Sequence, residues 1–176
     1  MIIKKYPKNW KVGKNTPLTD LDKKILAFQN RGHLVPKRCL IKTHEQIEGI
    51  RRSGVVNTGV LDAVAKEIHA GMSTLEIDKL VYDYTVSHGA IPAPLNYDGF
   101  PNSVCTSINE VVCHGIPSKN RILKEGDIIN VDVSTILNGY YSDASRMFCI
   151  GKVSEEKERL VRVTKECLKI GMEAAK

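Results

Sequence analysis

Asp132 and Asp143 stand on either side of Asn138-Gly139, with Ser134 and Ser145 interleaved between and beyond them. Asn-Gly is favoured where both residues of a turn need positive φ, so residues 127–150 read as two strands joined by a two-residue loop. Ile128, Ile129, Val131 and Val133 give the first strand its β-rich run, and Tyr140, Tyr141, Met147, Phe148 and Ile150 populate the second. In that register Leu137 faces Tyr140, Ser134 faces Asp143 and Asp132 faces Ser145. Alternate residues share a face, so Asp132, Ser134, Asp143 and Ser145 all point the same way. The two aspartates become diagonal neighbours with Cα atoms roughly 7–8 Å apart. Carboxylates that close repel each other unless a shared proton or a divalent cation lies between them. The plain alternative is a pair of solvent-facing positions on an amphipathic sheet. A slip of one residue would turn them to opposite faces.

The second reactive position is His114, in His114-Gly115-Ile116-Pro117. A histidine just before Gly and Pro ends its strand at a rim, where the ring either reaches into a cleft or sits on the surface. Upstream, Pro92, Pro94, Gly99 and Pro101 stiffen a loop over residues 91–102 that carries Tyr97 and Phe100. Aromatics on such a loop either wall an apolar pocket or belong to the core.

Several elements must position these groups. Two short strands are expected at residues 103–107 and 110–114, followed by a polar connection over 118–126. Thr43 and Gln46 form a capping-box pattern, and Ile47, Ile50, Gly54, Thr58, Leu61, Ala65 and Ile68 recur at helical spacing as a core-facing stripe. Gly71 stops that helix. Ser73 and Glu76 open another, with Ile77, Leu80, Val81 and Tyr84 on its apolar face and Gly89 at its end. His69 and His88 fall at helix ends, where they suit the helix dipole better than a metal. Ser154, with Glu155 and Glu156 after it, caps a last helix whose stripe is Leu160, Thr164, Cys167, Leu168 and Gly171. That helix is still running at Lys176, which suggests a longer protein cut short.

The chain has 176 residues, 42% hydrophobic and 26% charged, enough for one domain with a real core. It contains no apolar run of membrane-spanning length and no secretory signal pattern. Cys39, Cys105, Cys113, Cys149 and Cys167 are odd in number and lack C-x-x-C spacing, which points to reduced thiols in a cytoplasm. The net charge of +6 is uneven: residues 1–42 hold eleven Lys/Arg against Asp20 and Asp22. Such an arm suits ribosomal RNA phosphates, or serves as a solvated extension, with an organelle transit segment a lesser option. Pro7, Gly13, Pro17, Gly32 and Pro36 break it up; a short helix over 18–29 places Leu21, Ile25 and Phe28 on one face, and Trp10 reads as a packing anchor.

Taken together, Tyr97-Asp98-Gly99-Phe100-Pro101, the run from Cys105 through Asn109-Glu110-Val111-Val112-Cys113-His114 to Pro117, the run Gly126 to Val133 and the triplet Asp143-Ala144-Ser145 resemble type I methionine aminopeptidase. The resemblance covers residues 43–176, beside an N-terminal extension of residues 1–42 like that of one bacterial group. Some of those extensions carry a Cys-rich zinc motif; with Cys39 alone, none is carried over. The resemblance implies an α+β chain, the N-terminal half of a pita-bread fold with an antiparallel sheet backed by helices. It implies removal of initiator methionine from nascent polypeptides with a small second residue. It implies two divalent metal ions, with Co, Mn, Fe and Zn all compatible, held by two Asp, one His and two Glu. Asp132 matches the ligand of one metal and Asp143 the bridge between both. His114 matches the histidine that hydrogen-bonds substrate, and Tyr97, Phe100 and Cys105 match the wall around the methionine side chain. Main-chain oxygens at Asn109 and Val111 match a monovalent cation site. The remaining His and both Glu would lie in a second half, so the chain reads as a fragment with an incomplete site and little or no activity. A cytoplasmic monomer is expected, with no membrane or DNA partner. Two other readings stay open: an Xaa-Pro peptidase of the same fold, and a non-catalytic relative docking on ribosomes through its basic arm.

Overall fold

The computed structural model describes residues 17–35 and 40–175. Trp10 and Cys39 lie outside them. The chain divides into two compact units, Met1–His44 and Glu45–Lys176. In the first, helix α1 spans Asp20–Asn30. Thr19 caps it, accepting from Asp22 N at 3.2 Å while its own amide donates to Asp22 Oδ2 at 2.9 Å. Leu21, Ile25 and Phe28 line a small apolar hollow with Leu34 and Val35, as the helical spacing predicts.

The second unit is α+β. Helices α2 (His44–Glu67) and α3 (Thr74–Ser87) precede a four-stranded antiparallel sheet, and helix α4 (Glu155–Ala174) follows it. The strands are β1 (Ile91–Pro92), β2 (Cys105–Ile108), β3 (Ile128–Leu137) and β4 (Tyr140–Cys149). β3 is central. β4 pairs with it over its whole length, so β1 and β2 share the opposite edge, β1 near Ile136 and β2 near Ile129 to Asp132. Ile129, Val131 and Val133 turn inward, and with Val60, Val64, Ile77, Val81 and Val104 they form a core from which water is fully excluded. Asn138 and Gly139 have φ of 52° and 83°, the positive values the turn requires.

α3 starts on the expected capping box: Ser73 accepts from Glu76 N, and Ser73 N donates to Glu76 Oε2 at 2.7 Å. Ser73 Oγ also donates to Glu76 Oε2 at 2.6 Å, and this bond, with that from Ser73 N, holds the Glu76 carboxyl below its ordinary range. His88 stacks on Tyr84 while donating to its carbonyl in the last turn of α3, whereas His69 Nδ1 donates to Ala70 O in the turn between α2 and α3.

Three expectations are corrected. The stripe expected to bury α2 is rotated: Gly49, Ser53, Asn57, Val60, Leu61 and Val64 face inward, while Ile47, Ile50, Thr58 and Ala65 are exposed. The reason is polar. Asn57 Nδ2 donates to Val133 O (2.7 Å) and Thr135 Oγ1 (3.1 Å), and Ser53 Oγ lies 2.8 Å from Ser142 Oγ, so hydrogen bonds to the hairpin choose the face. Residues 110–114 form no strand, because Asn109 and His114 have φ of 50° and 56° and the chain turns there. α4 buries none of its residues; Leu160 and Leu168 are 57% and 63% exposed. Its periodicity describes a face that nothing among the described residues covers.

Two helical glycines test the α2 packing with opposite signs. A Cβ on Gly49 would meet the Tyr140 ring at 2.5 Å, whereas one on Gly54 meets nothing. Gly49→Ala is expected to destabilise by about 1–3 kcal/mol. Gly54→Ala is expected to stabilise by up to about 1 kcal/mol. Thermal melting of the two variants beside the parent checks the contrast.

Candidate metal centre and substrate cleft

The hairpin register is the one the Asn-Gly turn predicts: Leu137 opposite Tyr140, Ser134 opposite Asp143, Asp132 opposite Ser145. β2 adds a third column, with Cys105 opposite Asp132. Cys105, Asp132 and Ser145 therefore form one row across three strands, and Ser134 with Asp143 forms the next. Ser134 Oγ donates to Asp143 Oδ1 at 2.9 Å and fixes that carboxylate from its own face.

Asp132 and Asp143 are diagonal neighbours on one sheet face, close enough for the charge of Asp143 to act on Asp132. Partial burial pushes the Asp132 carboxyl above its ordinary value, and the negative charge of Asp143 pushes it further. The nearby His114 opposes the rise. Cys105 responds to the same field: burial raises its thiol first, and Asp132, Cys113 and Asp143 add to it. Cys105 is thus held as a neutral thiol, a small apolar wall group.

His114 reaches the site from a different direction. β2 ends at Ile108, and the chain loops out and returns so that Thr106 N donates to Gly115 O at 2.8 Å. Gly115 packs so closely that a Cβ there would collide with the Thr106 carbonyl. That approach sets the imidazole beside the sheet face. The loop after β1 closes the other side, with Asn96, Asp98 and Gly99 all at positive φ around a 3₁₀ turn at Tyr97–Gly99.

These elements enclose a cleft of about 700 Å³. Tyr97, Phe100, Cys105, His114, Asp132 and Asp143, all singled out in the sequence, line it together. Asn109 and Val111 do not; Asn109 lies in a separate hollow with Arg121 and Asp127. The structure adds Ala93, Pro94 and Ile116 as apolar wall and Asp98, Ser134 and Tyr141 as polar lining. Tyr141 was legible, since it shares a strand face with Asp143. Asp98 had no signal beyond its place between two flagged aromatics. Two facing carboxylates fit a divalent cation as part of its shell. Among the described residues, no group of three or more His, Cys, Asp or Glu is placed to hold one.

Residues 48–176 match the model of Metallopeptidase family M24. Methionine aminopeptidase A of Synechocystis sp. is 50% identical over 134 residues, which are 76% of this chain and 53% of that relative. The methionine aminopeptidase of Clostridium acetobutylicum is 48% identical over 136 residues, 77% of this chain and 54% of the relative. The chain thus spans about half the length of these relatives. The crystal structure of the Rickettsia prowazekii methionine aminopeptidase superposes with a TM-score of 0.70 at 44% identity, covering 72% of this chain and 50% of the other. The antiparallel sheet and its helices match such pita-bread structures over half their length. Prolidase from Pyrococcus furiosus superposes with a TM-score of 0.62 at 21% identity, a likeness of fold alone. No helix among the described residues is long and apolar enough to cross a membrane. The chain belongs to metallopeptidase family M24, on its methionine aminopeptidase branch.

Proposed function

We propose that this chain supplies one half of a methionine aminopeptidase centre, acting on the N-terminal methionine of nascent proteins whose second residue is small. The observation that carries the reading is the facing pair Asp132 and Asp143 with His114 on the wall of the same cleft. Asp132 and Asp143 would hold divalent ions. When bound, the ions supply Lewis acidity toward the scissile carbonyl and make water nucleophilic near neutral pH. Ser134 orients the Asp143 carboxylate through its 2.9 Å bond. Phe100, Cys105 and Ile116 offer an unbranched thioether an apolar wall, and Tyr97 closes the rim. His114 donates a hydrogen bond to the substrate carbonyl oxygen as charge develops there. One His and two Glu are still needed to complete the ligand set, and this half alone turns over little or no peptide.

A chimera tests this directly. Residues 45–176 replace the matching part of the Clostridium acetobutylicum enzyme, and methionine release is followed from Met-Ala and Met-Pro peptides with added Mn or Co. Release from Met-Ala and not from Met-Pro is expected. Asp143→Asn should abolish it, and His114→Ala should lower it by about 10²–10³-fold, the usual effect of losing one donor to a developing oxyanion. A chimera active with Asp143→Asn would sink the assignment. The 176-residue chain alone should release no methionine above a metal-only blank; clear turnover would refute the half-site.

The raised Asp132 carboxyl gives a second test without catalysis. A carboxyl raised by folding binds its proton more tightly in the folded chain than in the unfolded one. Its contribution to stability therefore declines as pH rises through the raised value and stays lower at neutral pH. Metal-free Asp132→Asn should melt above the parent at pH 7, with the gap closing as pH falls through the carboxylate range. A divalent ion should raise the melting temperature of the parent more than that of the variant. A gap independent of pH would contradict the electrostatic account.

A further inference from the structure

We infer that Lys157 is a positioning residue for His114, tethering the root of the loop that presents the imidazole; this rests on His114 having the role proposed above. The loop over residues 109–115 is held at both ends and little between. At its far end Gly115 is locked against β2 by the Thr106 N bond and by its own amide donating to Ser107 Oγ at 3.3 Å. At its root sits Asn109, left-handed at φ 50°. Asn109 N donates to Ile128 O (2.9 Å), Asn109 Oδ1 accepts from Ile128 N (3.2 Å), and Asn109 Nδ2 donates to Asp127 Oδ1 (2.8 Å). Between the anchors, Val111 N donates to Ile108 O to turn the chain, and Val112 stands 91% exposed.

Lys157 reaches this root from the first turn of α4. Its ammonium donates to Asn109 Oδ1 at 2.9 Å and to Gly126 O at 2.6 Å. One cation thus joins the end of β2, the turn that enters β3 and the start of α4. β3 carries Asp132, so the tether refers the His114 loop to the strand that holds the carboxylate. A bond from an ammonium to an amide oxygen is charge-assisted and stronger than a neutral one. Asn tolerates the left-handed region better than most residues, and these bonds hold Asn109 in that one conformation.

The experiment uses the 176-residue chain, isotopically labelled, as parent, as Lys157→Met and as Lys165→Met. Methionine keeps the length of Lys157 and removes its donors; Lys165→Met removes the same charge from the same helix. Amide exchange at Asn109, Val111 and Ile128 should quicken roughly tenfold in Lys157→Met. The His114 imidazole carbon–proton signal should shift or broaden, while exchange in the middle of β3 and β4 stays at the parental rate. Lys165→Met should change none of these. Unchanged exchange and an unchanged His114 signal in Lys157→Met would overturn the tether, as would an equal rise throughout the sheet. These readings do not depend on hydrolysis: an inactive chimera with a positive result here removes the peptidase reading and leaves the tether standing.

Discussion

Two like charges held side by side by strand register are the constraint around which the unit is arranged. An antiparallel ladder with a two-residue turn leaves no freedom in which residues face each other. Once Asn138-Gly139 closes the hairpin, Asp132 and Asp143 are neighbours whatever their repulsion. The sheet tolerates them because its other face is secured independently, by Ile129, Val131 and Val133 in a core closed to water. Asn57 and Ser53 strengthen the hold by bonding α2 to the backbone of both hairpin strands. The electrostatic penalty is thus borne on one face and offset on the other.

Backbone strain gathers in the two loops that flank the sheet face. The non-glycine residues at positive φ are Asn96, Asp98, Asn109, His114 and Asn138 among those described. Asn138 belongs to the hairpin turn; the other four lie in the two loops that flank the sheet face. Asn and Asp visit the left-handed region at modest energy, but His does so less readily. His114 is kept there by the close approach of Gly115 to Thr106, where no side chain fits. Each such residue costs about 1–3 kcal/mol, which persists only where neighbours over-determine the conformation. The Gly115 bonds and the Asn109 network do so at the two ends of the His114 loop.

How much was legible follows from the range of the interactions. The hairpin, its register and the shared face of the aspartates were read correctly because the turn that sets them is local. The same holds for the Ser73–Glu76 box. The α2 face was misread because hydrophobic periodicity cannot see hydrogen bonds made to residues about eighty positions away. Asn57 and Ser53 look like surface residues until the hairpin supplies carbonyls for them. The expected strand at 110–114 failed because Asn109 takes a left-handed conformation, turning Val111 and Val112 into loop residues despite their β-preference. The apolar stripe of α4 was real as a pattern, but burial depends on what lies opposite, and a stripe carries no information about its partner.

Lys157 was invisible for a related reason, and its energetics explain why it is tolerated. Ser154 caps α4, and Glu155, Glu156 and Glu158 complement the positive end of the helix dipole. A lysine among them opposes that dipole, an effect of about 0.3–1 kcal/mol at a helix end. Propensity alone would therefore place an acid at this position too. The part-buried bond to Gly126 O reverses the balance, since a hydrogen bond to a charged group contributes about 1.5–3 kcal/mol where it is partly shielded from water, and the exposed bond to Asn109 Oδ1 adds to it. The hydrogen bonds outweigh the dipole, so the choice of residue at the start of α4 is decided by the loop at the far end of β2. A helix-level reading of α4 sees a misplaced cation; a reading of the whole unit sees a bond donor shared among three segments.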